Sequence, residues 1–125
     1  MYLAAVKITN LEAFVIAMPL IGVFTSGGKS KNVTKGVVVR LTAADGSVGI
    51  SSVDPSTRAV FPDRAEDLLA TITDRLKPVL IGMPASQINA ISGLMGQVPD
   101  SQLGARAAVE IAAIDLTCRH LGLSL

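Results

Sequence analysis

The last stretch of the chain, ARAAVEIAAIDLTCRHLGLSL over residues 105–125, limits the fold more than any other. In helical projection Ala107, Ile111, Ile114, Cys118 and Leu121 form one stripe, and Ala105, Val109, Ala112 and Leu116 form the stripe beside it. A helix that is apolar around so much of its circumference must be covered on more than one side, so it belongs inside a larger packing. Its polar residues are few. Arg106 and Glu110 stand one helical turn apart and can pair along the surface. Asp115, set among Ile111, Ala112, Leu116 and Cys118, needs hydrogen-bond partners if it is buried, from the backbone or from an arginine.

A chain of 125 residues can bury a real core, and one domain is the natural division. The only aromatic residues are Tyr2, Phe14, Phe24 and Phe61, so that core is aliphatic. The mean hydropathy of +0.52 is high for a free-standing domain. The longest apolar run, AFVIAMPLI at residues 13–21, falls short of the roughly 18 residues of a membrane span. The excess therefore reads as surface meant for burial. A formal charge of +1 gives no electrostatic case for nucleic acid or an anionic membrane. The single cysteine, Cys118, excludes an internal disulfide, and no signal pattern follows Met1, so the cytoplasm is the expected location.

In chain order, residues 6–20 predict a first strand, rich in β-branched residues and bounded by Pro19. TSGGKSKN, residues 25–32, is small and polar and predicts a flexible loop. Residues 35–42 and 47–51 predict two strands joined through Asp45-Gly46, a pair suited to the positive φ angles of a tight hairpin. After a loop at residues 52–61, Pro62 and Asp63 mark a helix start, with Leu68, Leu69, Ile72 and Leu76 on its buried side and Pro78 as its end. Ser86 can cap a second helix carrying Ile88, Ile91, Leu94 and Met95, weakened by Gly93 and Gly96. Pro99, Asp100 and Ser101 lead into the last helix. The expected class is α+β, a three-stranded antiparallel sheet followed by three helices on one of its faces.

The order of Ala105, Ala107, Ala108, Val109, Glu110, Ala112, Ala113, Asp115, Leu116, Arg119 and Ser124-Leu125 resembles a signature of the mandelate racemase and muconate lactonizing enzyme branch of the enolase superfamily. Cys118 departs from it, standing where that family usually has Gly or Ala. The order of elements also resembles that family's N-terminal capping domain, so the likeness covers the whole chain. It implies a partner, the catalytic barrel, which would follow the signature and would carry the proton-transfer residues and the carboxylates that hold Mg²⁺. It implies no cofactor, metal ligand or catalytic residue in this chain. The second apolar stripe and the high mean hydropathy imply in turn that the isolated chain self-associates, so a homo-oligomer is expected. The resemblance further implies two substrate-specificity loops. The first maps onto residues 21–31, with Ile21, Val23, Phe24, Thr25, Ser26, Gly27, Gly28 and Lys29 as site residues, Gly22 as a further hinge, and Lys29 and Lys31 either attracting an anion or, the plainer reading, standing as solvated surface charges. The second maps onto residues 49–55, with Ile50, Ser51, Ser52 and Val53. Here Ile50, Ser51 and Ser52 replace the aromatic-Gly-Glu often found in relatives, which removes the usual indication of substrate.

Other motifs fail on inspection. VFTSGGKS at residues 23–30 would be a phosphate-binding loop but for Val23 where glycine is required, and the strand-like residues 37–41 follow where a helix should open. Asn32-Val33-Thr34 is a glycosylation sequon in form only. His120 sits where a helix C-terminus favours a surface histidine, and Cys118 falls on the core stripe as a small apolar residue with no activating neighbour. Two functions are compatible with these features: the capping domain of a metal-dependent carboxylate-transforming enzyme, or a stand-alone α+β module that binds through its apolar surface.

Overall fold

The computed structural model describes residues 6–26, 28–55, 64–98 and 102–125. Strands β1 (Ile8–Ser26), β2 (Lys29–Ala43) and β3 (Val48–Val53) form one antiparallel sheet in that order. Period-two alternation gives it an inner face. Leu11, Leu41 and Gly49 form one cross-strand row, Ala13, Val39 and Ser51 the next, and Val15, Val37 and Val53 a third. Three helices cover that face. Helix α1 is continuous through Ala65–Ala70, a wide π segment Thr71–Leu76 and Lys77–Leu80, and it buries Leu68, Ile72, Leu76 and Leu80. Helix α2 (Ile88–Leu94, with a 3₁₀ turn Met95–Gln97) buries Ile91 and Met95. Helix α3 spans Leu103–His120. This is the expected α+β class, and no helix among the described residues is long and apolar enough to cross a membrane.

The element ends depart from the sequence expectations for local physical reasons. Pro19 does not close β1, because it lies on an edge strand where its missing N–H costs no ladder bond, and it still pairs with Val33. Residues 25–32 are not a loop: Phe24 pairs with Lys31, Thr25 with Ser30 and Ser26 with Lys29, leaving a tight turn in which Gly28 takes φ +78°. The second hairpin turns at Asp45-Gly46, but only Gly46 is left-handed. Gly46 N–H donates to the Ala43 carbonyl and Ala43 N–H to that of Ser47, a type I turn followed by a bulge. Strand β3 then runs on through Ser52 and Val53, which had been expected in a loop. Pro62 and Asp63 lie outside the described residues, as do Pro99, Asp100 and Ser101.

Pro78 does not end α1. The preceding turn is widened so that Lys77 N–H reaches the Ile72 carbonyl, and Pro78 sits at the start of the resumed α segment, where a missing N–H is tolerated. Ser86 is not the cap of α2: Gln87 holds that place, without a side-chain bond. Helix α3 stops at His120 and does not continue to Leu125. Gly122 at φ +73° lets Leu123 N–H donate to the Cys118 carbonyl and Gly122 N–H to that of Arg119, a Schellman stop.

Helix α3 rests on β3 more closely than any side chain on Gly49 would permit. A Cβ there would lie 2.1 Å from the Ala112 carbonyl oxygen and 2.5 Å from the Leu116 nitrogen. Two polar bonds hold the contact. Ile50 N–H donates to Asp115 Oδ2 at 2.9 Å, and the buried Ser51 hydroxyl donates to the Ala108 carbonyl. Arg119 Nε donates to the same Asp115 oxygen at 3.1 Å, so the carboxylate has the backbone and arginine partners its position required. Arg106 pairs with Glu110 at 3.1 Å and also donates to Ser92 on α2. The stripe that enters the core is Ala105, Val109, Ala112 and Leu116, joined by Ala108 and Ala113. The other stripe, which had been expected to carry Cys118 into the core, faces outward because only one stripe packs on the sheet: Ile111 is 43% exposed, Leu121 is exposed, and Ile114 and Cys118 are half-buried.

Gly49→Ala should lower unfolding free energy by about 3 kcal/mol, because backbone atoms of α3 must retreat. Gly93→Ala, whose added methyl meets nothing within 4 Å in an α-helix, should raise it by about 1 kcal/mol. Urea denaturation of both variants checks the contrast.

Candidate functional site

The far arm of the β1–β2 hairpin extends beyond the helices and carries the first candidate loop. Between the pairs Pro19↔Val33 and Phe24↔Lys31, residues Leu20, Ile21, Gly22 and Val23 stand opposite Asn32 alone. So large a bulge bends the strand and re-aims its side chains. Ile21 is fully exposed, and Val23 and Phe24 are more than half exposed. Gly22 has open space where a side chain would be. At this bend Leu20, Gly22, Val23, Phe24, Thr34 and Asp54 line an open hollow of about 500 Å³.

The structure divides the candidate residues. Val23 and Phe24 reach the hollow, and Ile21 lies beside them on the same bulge. Thr25 lies beyond it, its hydroxyl 2.9 Å from that of Ser30. Ser26, Gly28 and Lys29 belong to the turn and its flanks, and Gly27 lies outside the described residues. The second group is not a loop. Ile50 and Ser52 lie on the outer face of β3, Ser51 is taken up by α3, and Val53 packs against the core. The two regions meet through Asp54 and Thr34, which were not singled out from the sequence. Asp54 fell within the segment mapped as the second loop, residues 49–55, without being named as a site residue, and Thr34 fell in neither loop.

A second hollow of about 80 Å³ lies at the C-terminal end of α3, between Val6, Ala85, Ser86, Leu116, Thr117, His120 and Leu121. His120 Nδ1 lies 2.6 Å from Asp45 Oδ2, which joins the end of α3 to the β2–β3 turn. The Ser47 backbone N–H, and after it the Ser47 hydroxyl and His120, hold the Asp45 carboxyl below its ordinary range. No hydroxyl or thiol hydrogen-bonds His120 among the described residues, so the pair acts as a clasp. Among the described residues no three His, Cys, Asp or Glu side chains converge as a metal site would require.

An antiparallel sheet with three helices on one face, a bulged hairpin arm projecting past them and an outward apolar stripe on the last helix define an α+β domain. Residues 11–125 match the model of the mandelate racemase / muconate lactonizing enzyme N-terminal domain, and the chain belongs to that family. It is 30% identical over 119 residues to the L-Ala-D/L-Glu epimerase of Bacillus subtilis (strain 168), covering 95% of this chain and 32% of that protein. It is 38% identical over 92 residues to a chloromuconate cycloisomerase of Cupriavidus necator, covering 71% of this chain and 24% of the relative. A substrate-liganded structure of the Bacillus subtilis epimerase superposes with a TM-score of 0.83 at 28% identity, over 92% of this chain and 32% of that one. The chain thus spans about a third or less of the length of these relatives.

A folded carboxyl held below its ordinary value adds stability that is complete above the unfolded value and lost as pH falls through the folded one. Asp45→Asn, which keeps an acceptor for Ser47 N–H, should therefore lose less stability than the parent between about pH 5 and about pH 2. Thermal midpoints across that range check the difference in slope.

Proposed function

We propose that this chain is the capping domain of an enzyme of the mandelate racemase/muconate lactonizing type, closing an active site built on a barrel in the full-length protein. The observation that supports this best is the outward stripe of α3, on which Ala107, Ile111 and Leu121 are exposed and Ile114 and Cys118 half-buried. It runs along a helix already buried on its other side, and the described residues leave much of it open. Leu123 and Leu125 extend the apolar surface past the Schellman stop. A surface of this kind marks an interaction site. The family membership and the relatives' roughly threefold greater length support a barrel as the partner.

On this reading the hairpin arm is the substrate-facing part. Its bulge places Leu20, Val23 and Phe24 where they can exclude water from a covered ligand, and Gly22 leaves the bend free to adjust. The full-length enzyme would abstract a proton α to a carboxylate, as a racemase, epimerase, cycloisomerase or dehydratase, with Mg²⁺ stabilising the charge that develops. The side chains described here do not fit that ion, and no catalytic step is assigned to them. Their work is closure and selection.

The test is α-proton exchange in D₂O followed by NMR, with N-acyl amino acids and dipeptides as substrates. Exchange should occur with full-length protein containing the barrel and not with these 125 residues. Exchange by the short chain that disappears when one of its own residues is changed would overturn the reading. Amide hydrogen exchange should be faster at residues 20–23 than at residues 37–41, since the bulge lacks regular ladder bonds. Equal protection would remove the mobile-arm role.

The two stripes of α3 make a further contrast. Ile111→Glu should leave the fold intact and reduce self-association of the isolated domain, whereas Val109→Glu, which places a charge in the core, should cost about 4 kcal/mol or more. Analytical ultracentrifugation and circular dichroism on the pair read both effects.

A further inference from the structure

We infer that Asp54 is a specificity-determining residue, and that the hollow it shares with the hairpin arm accepts the cationic end, an ammonium or guanidinium, of an otherwise apolar substrate chain. The inference rests on the capping reading for its place in catalysis, but the binding it requires needs only this chain. Asp54 follows the last residue of β3 and lies across Gly36 of β2. A Cβ on Gly36 would come within 3.2 Å of Asp54 Oδ1 and 3.8 Å of Ile16 Cγ1, so the carboxylate stands beside a position that has no side chain. The walls facing it are Leu20, Val23 and Phe24, with Thr34 as the polar neighbour.

Asp54 makes no hydrogen bond or ion pair among the described residues. Lys35, adjacent to Gly36, is engaged elsewhere, with its Nζ 3.2 Å from Glu66 Oε1 on α1. An open hollow leaves the carboxylate hydrated at little cost. Once a ligand or a covering surface displaces that water, the charge must find a counter-charge or a donor. A cation carried on an alkyl stem meets both demands, because its stem lies on the apolar walls while its head reaches Asp54. An anionic head in the same place would meet like charge.

The test uses this chain labelled with ¹⁵N and titrated with n-butylguanidinium, with butyrate and n-butylurea as the anionic and neutral counterparts. The guanidinium should shift the amide resonances of Val23, Thr34 and Asp54 saturably, and the other two probes should not. Asp54→Asn should weaken that binding about fivefold, the size of one exposed ion pair, with the remaining spectrum unchanged. Gly36→Ala, which crowds the carboxylate from beneath, should weaken it as well. Saturable shifts with butyrate, guanidinium shifts that survive Asp54→Asn, or no saturable shift at all would each overturn the proposal. Because no barrel takes part, such a failure refutes the role of Asp54 and leaves the capping reading standing. Absence of α-proton exchange in the full-length protein would refute the capping reading and leave the cation binding measurable.

Discussion

The seating of helix α3 on strand β3 is the contact on which the other features depend. Gly49 brings the helix backbone to within van der Waals distance of the sheet, and no other residue type fits there. That closeness puts Asp115 level with the Ile50 amide and Ala108 level with the Ser51 hydroxyl. Each bond satisfies a polar group that burial would otherwise penalise, and together they fix the helix in register along the strand. The Asp115 bond also closes one N–H of an edge strand that could pair with another chain.

With α3 fixed in this way, its two apolar stripes acquire different roles. Val109, Ala112 and Leu116 complete the core with Val39 and Leu41 of the sheet and with Leu68 and Ile72 of α1. Ile111, Ile114 and Cys118 are turned away from it. The same anchoring orients the sheet, and so decides which part of the long β1–β2 hairpin lies under helices and which projects. The inner-face rows end near Val15 and Val37, and beyond them the ribbon is free to bulge at residues 20–23. Structure and proposed function therefore divide along the hairpin: its packed base is shared with the core, and its open arm carries the hollow with Asp54.

Much of the fold was legible because its signals are local. Alternation over residues 35–42 gave β2, the spacing of Leu68, Ile72 and Leu76 gave α1, and Asp45-Gly46 gave a turn. The demand that a carboxylate among apolar neighbours find hydrogen bonds gave Asp115 its structural role. The errors are also instructive. Pro19 and Pro78 read as terminators, yet an edge position and a widened helical turn remove the penalty that makes proline one. The glycine-rich segment at residues 25–32 read as a loop because composition reports flexibility, whereas cross-strand pairing, which composition does not report, keeps it extended. Val23 and Phe24, named through a family resemblance, line the hollow at the bend; Asp54 lay within the mapped segment 49–55 without being named, and its position beside Gly36 and Thr34 is visible only once three strands are laid side by side.

The sequence by itself determined the class of fold, the order of its elements and the family to which the chain belongs, since periodicity, turn chemistry and an ordered signature are all properties of neighbours along the chain. It also determined that more apolar surface exists than one small domain can bury. Only the tertiary structure decided which surface that is, because two adjacent stripes on one helix are equivalent until something packs against one of them. In the same way it decided that Ser51 bonds to α3 while Asp54 lines the hollow. Strand alternation assigns residues to faces, but it is the helix seated on Gly49 that makes one face the interior.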